Sequence, residues 1–245
     1  MKRSNSSEKS PQLVIASLSI LLGLVALPGP ASAGMGGKTP PPNSSQQQQQ
    51  QQGGQVLPPS ARPQGFSLTD MAGKTAQFTT SGNTQSVPPT PFQILFFKPP
   101  STPTSKGNGL LVTGSNFFNV PEGKMFYVPI AIADDSPTVI GTFPTSSSMA
   151  ASYWFDSSQL GGSQSIVVDG NTTSIGASYL VGPITTQPLP DGGGTHIITI
   201  GVFLTPLSKG THTVEVKARF DGALLLPFVG ISFEEEDFTY TVTVQ

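Results

Sequence analysis

The sequence predicts an all-β fold, a single antiparallel β-sandwich domain of the jelly-roll or Ig-like type. Between residues 212 and 220, His212, Val214 and Val216 alternate with polar residues, which is the period-2 pattern of a strand with one buried face. Residues 238–244 alternate in the same way, so the two segments are expected to pair as antiparallel neighbours. Short apolar runs separated by glycine and proline come before them, and this spacing is typical of a sandwich.

The earlier strands are predicted from runs that are rich in β-branched and aromatic residues. Proline cannot donate to a strand ladder, so the strand that contains Pro129 is expected to lie at a sheet edge or to carry a bulge. The dipeptide Asp169-Gly170 predicts a two-residue hairpin turn. A helix is expected only between Ser146 and Leu160. The predicted earlier strands are residues 92–97, 110–112, 125–133, 166–168 and 197–204.

The first 33 residues have the pattern of a secretory signal peptide. Basic residues at the start are followed by an uncharged apolar run over residues 13–27 and by Ala31-Ser32-Ala33. An apolar run of this length is short for a bilayer span, and small residues at alternate positions are typical of a cleavage site. We therefore expect cleavage after Ala33, in preference to an uncleaved anchor, with no membrane span afterwards and a secreted or periplasmic protein.

Residues 34–63 are expected to form a disordered tether. They consist largely of Gly, Pro, Ser and Gln, with an uninterrupted glutamine run at residues 46–52. Such a segment has too little apolar surface to offset the entropy of ordering. Assembly through the glutamines is the alternative interpretation. The folded domain is then expected to span residues 64–245, a length that suits one core.

Charge and cysteine content exclude several functions. The 12 basic and 14 acidic residues of the whole chain fall to nine and thirteen without Lys2, Arg3, Lys9 and Glu8 of the signal segment. A mildly acidic chain with no basic stripe is not expected to bind nucleic acid. The sequence contains no cysteine, which excludes disulfides and thiolate metal sites.

Turn-plus-strand patterns occur at residues 119–130, 167–170, 206–214 and 238–244, with Tyr179 between them. Together they resemble a family of uncharacterised secreted bacterial β-sandwich proteins. The resemblance extends over roughly residues 92–244, implies the fold and a common ancestry, and implies no reaction. Members of that family often carry cysteines near the equivalent strands, so disulfide-dependent features do not transfer to this chain.

The two histidines of the chain are considered as a structural residue or as metal ligands. His212 comes after Gly210 at a Pro/Gly corner and falls on the apolar face of its strand, so we expect its ring to bond to the corner backbone as a structural residue. His196 lies in a second Gly-Thr-His, but two histidines without nearby acidic ligands do not predict a zinc site. No metal-ligating residue is therefore assigned.

Two acidic runs and one aromatic cluster are candidate binding sites for calcium and for sugars, respectively. Asp134-Asp135 and residues 234–237 are oxygen-rich segments of the type that can hold calcium, but the sequence has no Asp-x-Asp-x-Asp-Gly spacing. A solvated loop that keeps a strand edge from pairing is the favoured interpretation. Tyr153-Trp154-Phe155 could form a platform for stacking sugars, because aromatic faces pack on apolar sugar faces; a core position is the competing interpretation. Calcium is the one cofactor considered.

No catalytic residue is predicted. The nearest approach to a Ser nucleophile elbow, residues 161–165, lacks the second glycine, and there is no phosphate-binding loop. We therefore favour an exported non-catalytic module with a binding or structural role at the cell surface or in the periplasm. The sequence does not identify its partner, for which a glycan or a cell-surface component is the candidate. The alternative is an extracellular glycan-acting hydrolase or a carbohydrate-binding protein.

Overall fold

The computed structural model describes residues 53–245, and strands account for most of their regular structure. The predicted signal peptide, residues 1–33, and residues 34–52 of the predicted tether lie outside the described part. The helices are α1 (Leu68–Thr80), α2 (Ser147–Phe155) and α3 (Leu225–Val229), with short 3-10 turns at Pro63–Gly65 and Ala177–Tyr179. The strands are β1 (Gln93–Ile94), β2 (Thr102–Lys106), β3 (Gly109–Val120), β4 (Phe126–Asp134), β5 (Gly162–Val168), β6 (Asn171–Ile175), β7 (Leu180–Thr185), β8 (His196–Leu204), β9 (Gly210–Phe220) and β10 (Glu234–Val244).

The strands form two mixed sheets. One sheet has four strands in the order β1-β4-β8-β7, and the other has six in the order β2-β3-β10-β9-β5-β6. Most neighbours are antiparallel, but β1 pairs with β4 and β3 pairs with β10 in parallel. The expectation of purely antiparallel sheets is therefore wrong. Residue alternation is the same in both kinds of pair, whereas a parallel pair requires a long connection, and strands β4 to β9 all lie between β3 and β10 in the chain.

One cluster of buried side chains, the main cluster, includes residues from both sheets. Val128 and Ile198 belong to the four-stranded sheet, and Val216 and Phe238 belong to the six-stranded sheet. Burying a side chain of this size contributes about 1.5–3 kcal/mol to folding. The apolar residues that the two sheets turn toward this cluster are therefore the main source of stability in the described chain.

Strands β4 and β8 are buried on both faces, because α1 covers the face that is turned away from the main cluster. Ala76 of α1 packs in a second cluster with Ile132 and Ile197. Burial on both faces explains why the sequence of these two strands is almost continuously apolar, while β9 and β10 alternate.

Two predictions about strands are confirmed. Strands β9 and β10 are antiparallel neighbours, with Val214 opposite Tyr240 and Val216 opposite Phe238. The pairing of β4 with β8 shifts register between Pro129 and Ala131, which is the predicted bulge. Strand β4 lies inside its sheet, so the bulge, and not an edge position, accommodates the proline.

The predicted hairpin turn is also confirmed. Strands β5 and β6 pair with Val168 opposite Asn171, which leaves Asp169 and Gly170 as the two turn residues. Their φ angles are 49° and 81°, and positive φ at both central positions is what a type I′ turn requires.

The folded region begins earlier than residue 64. Gly53 and Val56 form bridges with Leu207 and Leu204, and the amide of Leu57 donates to the carbonyl oxygen of Phe203 at 2.9 Å. Residues 53–63 of the predicted tether are therefore part of the domain. The apolar pair at residues 56 and 57 supplies the buried surface that the rest of the tether composition lacks.

Helix α1 was not predicted, although its sequence contains two signals. Its buried residues Leu68, Met71, Ala72, Thr75 and Ala76 follow helical spacing. Ser67 caps the helix by accepting from the amide of Asp70 at 3.1 Å, while the Asp70 carboxylate accepts from the Ser67 amide at 2.8 Å. Ser67 also lowers the pKa of Asp70 through its side-chain hydrogen bond to the carboxylate.

The predicted helix between residues 146 and 160 is present as α2. Ser146 caps it, with its hydroxyl accepting from the Met149 amide at 3.3 Å. Over residues 53–245, every helix falls short of the length and apolar character needed to cross a bilayer.

Candidate functional site

The aromatic cluster predicted as a sugar platform lies mostly in the core. Tyr153 is 5% exposed and Trp154 is 1% exposed. The Tyr153 hydroxyl donates to the carbonyl oxygen of Ile140 at 2.8 Å, and burial raises its pKa. Trp154 packs edge-on against Phe220, while Phe155 is half-buried against the same cluster. The structure leaves neither Tyr153 nor Trp154 a free face for a sugar.

His212 joins the corner before β9 to the turn between β5 and β6. Its Nδ1 lies 2.7 Å from Oδ2 of Asp169, and its Nε2 lies 2.9 Å from the carbonyl oxygen of Ser208. Both partner atoms are acceptors, so the two bonds form together when both ring nitrogens carry hydrogen. Gly210 begins the strand at φ 135°, a conformation that side chains disfavour. These contacts give His212 a structural role in holding two turns together.

We expect His212→Ala to lower the free energy of unfolding by about 2 kcal/mol, because the substitution removes a buried ring and its bonds to the Asp169 carboxylate and the Ser208 carbonyl. His196→Ala is the matched control. His196 contacts Asp135 at the same 2.7 Å, but its side chain is 44% exposed, against 9% for His212. The exposed pair is expected to contribute less. Urea unfolding of both variants is the measurement, and equal losses would contradict the structural role of His212.

An exposed aromatic ring stands on the outer face of the six-stranded sheet. Phe117, near the end of β3, is 77% exposed, whereas its neighbour Phe118 points inward and packs against Tyr240. The ring lines a groove of about 630 Å³. The other lining residues are Lys98, Pro99, Pro100, Thr113, Gly114, Ser115, Asn116, Asp237 and Thr239.

Backbone contacts fix one wall of this groove. The amide of Lys98 donates to the carbonyl oxygen of Ser115 at 2.9 Å, and the side-chain amide of Asn116 donates to the carbonyl oxygen of Phe96 at 3.1 Å. The segment that leads to Pro99 and Pro100 is therefore held alongside β3.

Hydroxyl groups surround the ring across the sheet. Thr241 of β10 lies opposite Phe117, and Thr213 of β9 lies opposite Thr241. Ser115 lies opposite Thr239 in the next row. Each hydroxyl can both donate and accept, so this face can satisfy the hydroxyls of a polar ligand beside an apolar ring.

The charged residues of this face are mostly paired with one another. Lys217 lies 3.0 Å from Glu215 and 4.0 Å from Asp237, and its hydrogen bond to Glu215 raises its pKa. Glu235 contacts Lys106 and Arg219, and the Lys106 contact lowers its pKa. The face is thus almost neutral, with Lys98 and Asp237 as the charged residues that line the groove.

The acidic run at residues 234–237 is not a solvated loop. It forms the start of β10, and Glu234 and Glu236 are 0% and 2% exposed. Burial, followed by the charge of Glu236, raises the pKa of Glu234 well above its usual range. The alternation that turns Phe238 and Tyr240 inward places both glutamates on the same inward face, so the sequence contained the signal. In residues 53–245 no three acidic, histidine or cysteine side chains are placed to hold a metal ion.

Comparisons with known proteins give little for this chain. No protein-family model matches it, and neither does any curated protein. A solution structure of Amebosin is 13% identical, with 55% of this chain and 97% of that one covered and a TM-score of 0.23. The structure of PbICP-C in complex with falcipain-2 is 15% identical, with 57% and 100% covered and a TM-score of 0.20. At such low TM-scores neither likeness carries an argument about fold or function.

Proposed function

We propose that this chain is an exported, non-catalytic binding module, and that its ligand-binding surface is the outer face of the six-stranded sheet around Phe117. The observation that carries the proposal is the 77% exposure of a phenylalanine ring that lines a groove with polar residues. An apolar ring combined with a few placed polar groups is the usual composition of a ligand site. The exported location, secreted or periplasmic, rests on the signal-peptide pattern and on the family resemblance.

A β-sandwich is the architecture that we propose for the module. The main cluster of buried side chains contains residues from both sheets, as expected when two sheets pack face to face. In such an arrangement the outer face of the six-stranded sheet is left for partners. The alternation along β10 supports this, because Thr239, Thr241 and Thr243 are on its outward side.

A surface glycan is the ligand class that this face fits best. The faces of sugar rings are apolar and can pack on Phe117, while their hydroxyls can bond to Ser115, Thr239 and Asp237. A nearly neutral surface suits an uncharged polysaccharide better than a strongly charged partner.

A glycan-acting hydrolase is the alternative, and the groove favours it less. Hydrolysis of a glycosidic bond usually needs two carboxyl groups that flank the sugar. Asp237 is the one acidic residue among those that line the groove. Glu234, whose raised pKa would suit a general acid, is fully buried on the opposite side of the sheet.

Phe117→Ala is expected to weaken polysaccharide binding about tenfold, which corresponds to about 1.4 kcal/mol, while the stability of the protein stays within about 0.5 kcal/mol. Binding would be measured by affinity electrophoresis against a panel of neutral cell-surface polysaccharides, and then by titration of the tightest one. Phe228→Ala is the matched control, since Phe228 is 46% exposed on helix α3.

Equal weakening by both phenylalanine variants would contradict the assignment of the binding surface. Absence of binding to every polysaccharide in the panel would contradict the ligand class. Release of reducing sugar that stops when Asp237 is replaced by Asn would establish the hydrolase alternative.

A further inference from the structure

Two loops meet at the end of β4. One continues from Asp134 through Asp135 to Ser136, and the other joins β7 to β8. The Ser136 hydroxyl donates to Oδ1 of Asp191 at 3.1 Å and accepts from the Gly194 amide at 3.0 Å. The carboxylate of Asp135 accepts from the amides of Thr195 at 2.6 Å and His196 at 2.8 Å. These bonds fix the position of Asp191 beside the end of β4.

Glycines allow this close approach. A Cβ atom on Gly194 would lie 2.5 Å from the amide nitrogen of Ser136, and one on Gly192 would lie 2.8 Å from the Cβ of Ser136. Real side chains do not tolerate such distances, so the glycine run is what lets the second loop close over Ser136. The close contact between the two loops therefore explains why the sequence at residues 191–194 is Asp-Gly-Gly-Gly.

The carboxylates of Asp134 and Asp191 lie where these two loops meet. In each, the Oδ2 atom is buried and has no hydrogen-bond partner within residues 53–245. Asp134 is only 8% exposed, and its other oxygen accepts from the Ser136 amide at 2.7 Å. A buried carboxylate oxygen without a donor or a cation is strongly unfavourable.

The two carboxyl groups are close enough to interact directly. Burial, opposed by a bond to Ser136 and reinforced by the charge of Asp191, raises the pKa of Asp134 to about 7. Two neighbouring carboxylates that each keep a buried oxygen without a donor favour a bound cation. His196 is not available to compensate it, because its Nδ1 lies 2.7 Å from Asp135.

We propose that the unpartnered oxygens of Asp134 and Asp191 bind a calcium ion. Calcium prefers hard oxygen ligands and accepts irregular coordination, so backbone carbonyls and water can complete a site that has two carboxylates. Because these two are the whole acidic set of the site, the dissociation constant is expected in the range of about 10⁻⁴–10⁻³ M that is typical of extracellular modules. This site lies apart from the groove at Phe117, and it does not depend on the glycan proposal.

Calcium is expected to raise the melting temperature at pH 8. With 10 mM calcium chloride against EDTA, the rise would be about 3–6 °C for a domain of this size. Magnesium is expected to give a smaller rise, since it demands regular octahedral geometry. Isothermal titration with calcium chloride measures the affinity directly.

Three variants test the site. Asp134→Asn and Asp191→Asn are each expected to abolish the calcium-dependent rise, yet to raise the melting temperature of the metal-free protein because the repulsion is removed. Asp156→Asn is the matched control: Asp156 accepts from the Ser158 amide at 2.9 Å, as Asp134 does from Ser136, but it is exposed. This control should keep the full response to calcium.

Three results would overturn the proposal. One is an identical melting temperature in calcium and EDTA for the unmodified protein, together with stabilisation by Asp134→Asn, which would mean that the pair shares a proton. Another is a full calcium response in both site variants, which would place the ion elsewhere. A response to magnesium equal to that for calcium would overturn the assignment of the ion.

Discussion

Trp154→Ala is expected to lower the free energy of unfolding by about 3–5 kcal/mol, because it removes a large side chain from the middle of the main cluster. The indole is 1% exposed and packs edge-on against Phe220, with 5.5 Å between ring centroids. With the Gln164 amide oxygen turned toward the indole, Nε1 of Trp154 donates to it at 3.0 Å. The substitution therefore leaves both a cavity and a buried amide without its partner.

Urea unfolding of the purified chain measures this loss. Phe155→Ala is the control, since Phe155 is the next residue in the same helix but is only half-buried, and a smaller loss is expected. A loss below about 1 kcal/mol for Trp154→Ala would contradict the core position. The experiment also shows why loss of glycan binding in this variant would not identify a sugar platform, because much of the protein would be unfolded.

Local alternation was sufficient to predict β9 and residues 238–244 of β10, and the Asp169-Gly170 dipeptide was sufficient to predict the turn between β5 and β6. The features that the sequence did not predict depend on distant contacts. Nothing in the alternation of β3 and β10 distinguishes parallel from antiparallel pairing. Nor does the spacing of Asp134 and Asp191 indicate that their two loops meet, since that depends on the contact between Ser136 and Asp191.

Two strands, β10 and β3, were predicted too short although the alternation of their residues extends further. The alternation of β10, extended toward its start, places Glu234 and Glu236 inward, but four consecutive acidic residues favoured a solvated loop. In β3 the prediction stopped at residue 112, whereas the strand continues to residue 120. Phe117 therefore did not enter the set of candidate binding residues. The start of β10 and the exposed ring of Phe117 were both missed because residue composition was given more weight than the alternation of side chains along each strand.

Glu234→Met is expected to stabilise the protein by about 2 kcal/mol near neutral pH, and by more at higher pH. Neither carboxyl oxygen of Glu234 has a hydrogen-bond partner within the described residues, and the side chain is fully buried. Burying such a group without a partner costs about 1–3 kcal/mol, and a flexible apolar side chain of similar length avoids that cost.

The dependence on pH follows from the raised pKa of Glu234, which burial and the charge of Glu236 produce. The folded state holds this proton more tightly than the unfolded chain does. Its contribution to stability is therefore full below the unfolded pKa of about 4.3 and is lost as the pH rises through the folded pKa, by about 1.4 kcal/mol for each pH unit in that window. Asp134 adds a loss of the same sign up to its pKa of about 7.

Urea unfolding at several pH values between 4 and 9, for the unmodified chain and for Glu234→Met, isolates the contribution of this one group. The difference in stability between the two proteins should grow as the pH rises. Glu235→Met is the matched control: Glu235 faces outward, and its contact with Lys106 lowers its pKa, so its contribution is present above its unfolded pKa and is lost as the pH falls. A constant difference between Glu234→Met and the unmodified chain would mean that Glu234 finds a partner in solution, and that the inner face of β10 does not hold an uncharged glutamic acid.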